Sequence, residues 1–135
     1  MRDARILQEL IFRTSDQTGV LAEVTRLLGD MGINLLSVYT HADGETARIH
    51  LISDSQTYAR EALRDIGFEV SERDVILLEL PHRPGFLRRI TEALARKEIS
   101  ILELYSTIPD QAGTGVVVFT CTEMGKAVQM LRSRS

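Results

Sequence analysis

A chain of 135 residues can form one domain or two small ones, and 44% hydrophobic residues are enough to build a core. The net charge of −3 gives no basic field for nucleic acid or an anionic membrane. The single Cys121 cannot form an internal disulfide, and no apolar stretch approaches the roughly 20 residues of a membrane span. Because the N-terminus also lacks a signal-peptide pattern, we expect a soluble, cytoplasmic protein.

Hydrophobic periodicity in the first half predicts strands and helices in the order βαββαβ. The predicted elements are a strand at 6–12, a turn at 15–19, a helix with an apolar face from Val20 to Met31, strands at 33–40 and 46–52 joined by an Asp-Gly hairpin, a helix with its apolar face from Ala59 to Ile66, and a short strand at 68–71. Gly32 and Gly67 are placed to end the two helices.

The second half repeats this order at an offset of 66 residues, which sets Gly19 on Gly85. It predicts a strand at 75–80, a helix that Pro84 opens, strands at 100–108 and 115–122, and a last helix at 127–131. The chain then stops, so the second copy has no fourth strand of its own. We expect an α+β fold of two tandem ferredoxin-like units, 1–73 and 74–135, each an antiparallel sheet with helices on one face.

Two features suggest that the sheet is covered by further protein. The missing fourth strand predicts an open edge beside residues 75–80, and residues 116–119 are apolar on both faces, whereas Arg48 and His50 make the equivalent strand polar on one face. We favour packing between the two repeats and between two chains as a homodimer. The alternative is a twisted edge half-covered by loops.

The two Gly turns carry a family resemblance. Asp16-Gln17-Thr18-Gly19-Val20-Leu21 with Gly32-Ile33-Asn34-Leu35, and His82-Arg83-Pro84-Gly85-Phe86-Leu87 with Glu98-Ile99-Ser100-Ile101, resemble the Asp-x-Pro-Gly-x-Leu and Gly-Ile-Asn-Ile motifs of the ACT domain. The first copy has Thr18 in place of the proline, and the second has neither the Asp nor the Asn. The resemblance spans about residues 6–132 and is greatest to the stand-alone tandem ACT proteins, which carry no catalytic domain.

The resemblance implies a small effector, usually an amino acid, bound between a Gly turn and the second-strand region across a domain or subunit interface. A helix N-terminus suits the effector's carboxylate. Asp16 could accept a hydrogen bond from the effector's ammonium group, and the Asn34 side chain could both donate and accept hydrogen bonds. The implied ligand-binding residues are Asp16, Gln17, Thr18, Gly19, Val20 and Asn34 in the first copy, and His82, Arg83, Gly85 and Phe86 in the second. We expect the second turn to be either a more anion-tolerant site or purely structural.

Simpler roles and other functions remain open at this point. Asp16 could only cap a helix, and the Asn34 side chain could only bind adjacent backbone. Catalysis, a metal or cofactor site and RNA binding are disfavoured, because Cys121 lies on an apolar strand, the three histidines are in separate elements, and the strands lack an aromatic, basic surface. The leading expectation is a non-catalytic amino-acid-binding regulator. The alternative is a regulatory subunit that controls a metabolic enzyme by protein contact without a ligand.

Overall fold

The computed structural model describes residues 4–15, 18–81, 84–107 and 114–133. The elements in chain order are β1 (Arg5–Thr14), α1 (Val20–Asp30), β2 (Leu35–Asp43), β3 (Thr46–Ser53), α2 (Gln56–Asp65), β4 (Ser71–Pro81), α3 (Phe86–Arg96), β5 (Ile101–Thr107), β6 (Thr114–Cys121) and α4 (Met124–Ser133). This confirms the α+β architecture of two βαββαβ-like repeats. Over the described residues, no helix has both the length and the apolar character needed to cross a membrane.

The chain divides into two compact units. The first unit is Gln8–Arg73, and the second unit combines Asp74–Ser135 with Met1–Leu7. In the first unit the strand order is β2-β3-β1-β4, and β3 pairs antiparallel with both β1 and β2. The opening residues of β4 hold the fourth place in this sheet, as the repeat pattern requires.

The second unit does not have the open edge that the sequence predicted. Its strand order is β5-β6-β4-β1, so the first residues of β1, Arg5–Leu7, hold the place of the missing fourth strand. The prediction was wrong because β1 is divided between the units: its residues up to Leu7 belong to the second unit, and those from Gln8 belong to the first. Pairing this edge satisfies backbone groups of an apolar strand that would otherwise be open to other chains.

The strand predicted at 75–80 begins earlier, at Ser71, and is part of β4, whereas residues 68–70 of the short strand predicted at 68–71 are not in a strand. Nothing in Ser71-Glu72-Arg73-Asp74 breaks a strand, since the segment contains neither Gly nor Pro.

Each unit buries its own apolar core between the helices and one face of the sheet. The first core is centred on Leu10, Phe12, Val24, Leu28, Ile49, Leu51, Ala59 and Leu63. The second is centred on Ile76, Leu78, Ile90, Leu94, Val117, Phe119, Ala127 and Leu131. Met31 and Ile66, which the periodicity placed on buried helical faces, are 47% and 46% exposed because they are the C-caps of α1 and α2, where the chain turns away.

Strand β6 is buried on both faces, as its composition predicted. Val117 and Phe119 belong to the second core, and Val118 on the opposite face is 1% exposed. Cys121 is also buried in that core, which confirms that it is a small hydrophobe of the interior. Pro84 precedes the N-cap Gly85 instead of occupying the first helical position that the sequence suggested.

Candidate functional site

The first Gly turn ends in a glycine with left-handed backbone. Gly19 is the N-cap of α1 at φ 79°, and its carbonyl accepts the first helical hydrogen bond from the Glu23 N–H at 2.9 Å. Among the described residues no side chain caps this helix. A Cβ at position 19 would meet nothing within 4 Å, so the positive φ, and not crowding, requires glycine here. The turn therefore presents a helix N-terminus, with its partial positive charge, to open space.

The second Gly turn has the same backbone and a shallow cavity beside it. Gly85 is the N-cap of α3 at φ 83°. The cavity has a volume of about 250 Å³, and its lining runs from Pro84 to Phe86 and includes Arg88, Arg89 and Glu92. Phe86 is half-buried at the wall of this cavity. The turn thus offers space for a small ligand next to a helix N-terminus.

Charges at the two turns differ in sign. The first turn of α1 contains Glu23, whereas Arg89 occupies the equivalent position of α3 and Arg88 precedes it. The Arg88 Nε donates to Glu92 at 2.7 Å, and this hydrogen bond lowers the pKa of Glu92 and raises that of Arg88. Arg89 has no ion pair among the described residues. Both arginines were missed in the sequence, although an Arg-Arg pair directly after the second motif was a visible signal.

Asn34 keeps its side chain available. Its N–H donates to the Asp54 Oδ1 at 3.0 Å, and the Asp54 N–H donates to the Asn34 carbonyl at 3.1 Å. The Asn34 side chain is exposed and makes no hydrogen bond within the described part of the chain. The same backbone exchange joins Ser100 and Thr122 in the second unit. The side-chain amide of Asn34 is therefore not used to hold the adjacent backbone.

One unit does not bring its Gly turn and Asn34 together. Gly19 precedes α1 and Asn34 follows it, and 11 helical residues separate two points by about 16 Å. Thr18, Gly19 and Val20 are therefore clustered at one end of the first unit, and Asn34 lies at the other. The remaining predicted ligand residues, Asp16, Gln17, His82 and Arg83, lie outside the described residues.

A buried polar network lies on the face of the first sheet that is opposite the helices. The Glu9 Oε1, fully buried, accepts from the Arg73 Nε and from the His50 Nδ1, each at 2.8 Å. The Arg48 Nε donates to the His50 Nε2 at 2.8 Å, which assigns the imidazole proton to Nδ1. Tyr39 packs edge-on against the His50 ring. The network had no clear sequence signal, because Glu9 lies within an apolar run.

The described residues contain no group of three or more His, Cys, Asp or Glu positioned to hold a metal ion. Burial raises the pKa of the Cys121 thiol, and its Sγ lies 3.8 Å from the Met124 Sδ. A buried thiol with a raised pKa carries little of the nucleophilic thiolate at neutral pH.

Comparisons with known proteins find one family-model match and several structural similarities. The ACT domain model matches residues 9–64. Protein BT0572 from Bacteroides thetaiotaomicron is similar in structure, with 25% identity, a TM-score of 0.86 and coverage of 97% of this chain and 90% of that one. No match was found among curated proteins.

Two regulatory subunits of aspartate kinase share the fold. The one from Thermus thermophilus is 17% identical, with a TM-score of 0.67 and coverage of 98% of this chain and 95% of that one. The one from Thermus flavus is 18% identical, with a TM-score of 0.58 and coverage of 97% and 94%. Both similarities extend over both units, and the two relatives are regulatory subunits. Residues 9–64 thus match the ACT domain model, and the chain as a whole shares the fold of these regulatory subunits.

Proposed function

We propose that this protein is a non-catalytic regulator that binds a small molecule, an amino acid, at its Gly turns. The observation that carries the proposal is the Gly19 turn, where a left-handed glycine begins a helix that no described side chain caps and where a Cβ would meet open space. A carboxylate placed there accepts from backbone N–H groups and gains from the helix dipole. Asp16, Gln17, Thr18 and Val20 belong to the same proposed site by their position in the motif.

The unused amide of Asn34 supports the choice of a zwitterion. Its side chain can donate to a carboxylate and accept from an ammonium group. Because Gly19 and Asn34 lie at opposite ends of α1, the site needs the second-strand region of another unit to be complete. We propose that a second copy of the chain supplies it, so the protein would act as a homodimer. Sedimentation as a monomer at high micromolar concentration would contradict this arrangement.

The second Gly turn is proposed as a site for more acidic ligands. Arg88 and Arg89 line its cavity, and His82, Arg83, Gly85 and Phe86 belong to the turn by motif position. A cationic cavity next to a helix N-terminus favours a ligand with additional negative charge. Binding at either turn would favour one packing arrangement over another and so transmit a signal to a partner.

A thermal-shift screen of the twenty amino acids tests the first site. A ligand at 100 times its dissociation constant stabilises the folded state by about 2.7 kcal/mol, which is a shift of several degrees. We expect one amino acid to stabilise the wild type and not the Asp16→Ala or Asn34→Ala variants. Asp30→Ala removes an exposed carboxylate elsewhere on the same unit and is the control. A flat screen over all twenty would contradict the proposal.

A second candidate is a regulatory subunit that binds an enzyme without a ligand of its own. It is favoured by the names of the two Thermus relatives and by Leu102, which is 65% exposed at a bulge of the edge strand β5. An exposed apolar side chain on a sheet edge suits a protein partner. Stoichiometric co-purification with one enzyme that Leu102→Lys abolishes would support it. Tyr58→Lys, at a side chain of 66% exposure on α2, is the matched control.

A further inference from the structure

The buried polar network of the first unit has no role in the proposed effector site. It is a chain of hydrogen bonds that starts at Arg73, passes through Glu9 and His50, and ends at Arg48. Glu9 is 0% exposed and His50 is 2% exposed, so folding removes both polar side chains from water. Burial of such groups costs free energy, and well-packed apolar residues in their place are often at least as stable. The network therefore calls for an explanation other than stability.

The second unit shows that a sheet of this topology does not need the network. The repeat, with the two extra residues of the second hairpin loop taken into account, replaces three members of the network by valine: Val75 for Glu9, Val118 for His50 and Val116 for Arg48. The first two of these valines are buried. The polar chain is thus an addition that only the first unit carries.

The network fixes the orientation of Arg48. The His50 Nε2 accepts from the Arg48 Nε at 2.8 Å, and the imidazole is held in turn by Glu9 and by the edge-on packing of Tyr39. Arg48 is half-buried and forms no ion pair with any described carboxylate. With its Nε engaged, the guanidinium has its two Nη groups left to donate to another partner. An arginine that a neutral imidazole holds in place, without a counter-charge, is preorganised for an anion.

Two further basic side chains lie beside Arg48 on the same face of the sheet. The register sets Arg13 of β1 opposite Arg48 on one side and His41 of β2 opposite it on the other. Residues in such facing positions have Cβ atoms about 4.5–5.5 Å apart, and like charges there repel. Arg13 and His41 are exposed, and neither forms an ion pair within the described part of the chain. Asp43, which faces Thr46 two residues farther along, does not neutralise them. An anion between the two arginines would relieve their repulsion.

We infer that Arg48, Arg13 and His41 form a binding site for a phosphate group on the face of the first sheet opposite the helices. A phosphate dianion has the charge and the acceptor oxygens for two guanidinium groups, each of which can donate paired hydrogen bonds. His41 can donate one more. The buried members of the network do not touch the ligand and act as positioning residues for Arg48. None of these residues belongs to a Gly turn, so the inference goes beyond the proposed function and can fail separately from it.

Isothermal titration calorimetry of the full chain with inorganic phosphate, at constant ionic strength, tests the inference. Arg13→Gln and Arg48→Gln should each weaken binding about ten- to a hundredfold, the loss of one charged hydrogen bond. Arg26→Gln removes the same charge at an exposed position of α1 and should have no effect. Glycerol phosphate, with glycerol as its control, distinguishes the two sources of the group. Tighter binding of glycerol phosphate would identify a phosphorylated metabolite as the ligand, and tighter binding of inorganic phosphate would identify the free ion.

The double variant Glu9→Val with His50→Val tests the positioning role. It introduces the residues that the second unit already has, so we expect the chain to unfold at a temperature close to that of the wild type. Phosphate should nevertheless bind about tenfold more weakly, because Arg48 is no longer held in place and must be ordered by the ligand. A network with a structural role alone would leave the phosphate affinity unchanged, and that result would overturn the positioning role.

Three other results would overturn the inference. Phosphate binding that survives Arg13→Gln and Arg48→Gln but is lost in Arg89→Gln would place the anion at the second Gly turn, beside the N-terminus of α3. Equal binding of succinate and phosphate would show a site for any dianion instead of a phosphate site. Absence of phosphate binding to the wild type at millimolar concentration would reject the site, while an amino acid could still bind the Gly turns.

Discussion

Replacing Glu9 by valine tests the buried polar network most directly. The Glu9 side chain is 0% exposed and accepts hydrogen bonds from His50 and Arg73, whose side chains are 3% and 31% exposed. In Glu9→Val the His50 Nδ1–H loses its acceptor in the interior, and Arg73 loses its counter-charge. A buried donor left without its acceptor costs about 1–3 kcal/mol.

The chain offers its own control for this change. At the repeat offset of 66 Glu9 corresponds to Val75. The second hairpin loop is two residues longer, so the offset becomes 68 in the strand that follows it, and His50 corresponds to Val118; both valines are buried. The double variant Glu9→Val with His50→Val therefore introduces the residues that the second unit already uses. Apolar replacement of a whole buried pair is often neutral, so we expect the double variant to recover most of the stability lost in the single one. Arg48 and Arg73 are partly exposed and can be hydrated.

Urea unfolding of the wild type and of the single and double variants measures these differences. The free energy of unfolding should fall by about 1–3 kcal/mol in Glu9→Val and return to within about 1 kcal/mol of the wild type in the double variant. A loss of less than about 1 kcal/mol in the free energy of unfolding of Glu9→Val would refute the reasoning, because an unpaired buried donor should cost at least that much. A double variant as unstable as the single one would refute it equally.

Three further predictions concern the glycines, the exposed ion pair and the thiol. Gly19→Ala should destabilise the fold by about 1 kcal/mol, because residue 19 has a positive φ. Gly29→Ala should stabilise the fold by a similar amount, because Gly29 lies inside α1 with open space around it. Urea unfolding that shows the same sign for both variants would contradict this. Arg88→Ala should raise the pKa of Glu92 toward 4.5 in an NMR titration. Since the pKa of Glu92 is lowered in the folded state, the stabilisation from this contact is present above the unfolded pKa and is lost as pH falls through the folded one; an unchanged titration would show that the pair does not form in solution. Cys121 should react slowly with iodoacetamide at neutral pH and rapidly in urea, and equal rates would show that the thiol is not buried.

The order of elements and the positions of the Gly turns could be read from the sequence because both depend on local physics. Helix and strand periodicity follow from side-chain spacing, and a glycine before an apolar helix, as at Gly19 and Gly85, reflects a backbone conformation that other residues avoid. The core residues Leu28, Leu63 and Leu94 followed from the same periodicity. The same motif indicated Asn34 and the two Gly turns as candidate ligand-binding residues.

Strand pairing and buried polar contacts were decided only by the tertiary structure. The sequence pattern showed that the second unit lacked a fourth strand, but not that Arg5–Leu7 would hold that place, because pairing between residues so far apart leaves no local signal. Likewise Glu9 and Arg73 are 64 residues apart, and their contact depends on how β1 and β4 come together in the first unit. Local propensity thus determined the elements and the motif, whereas long-range packing determined the strand edges and the buried charge network.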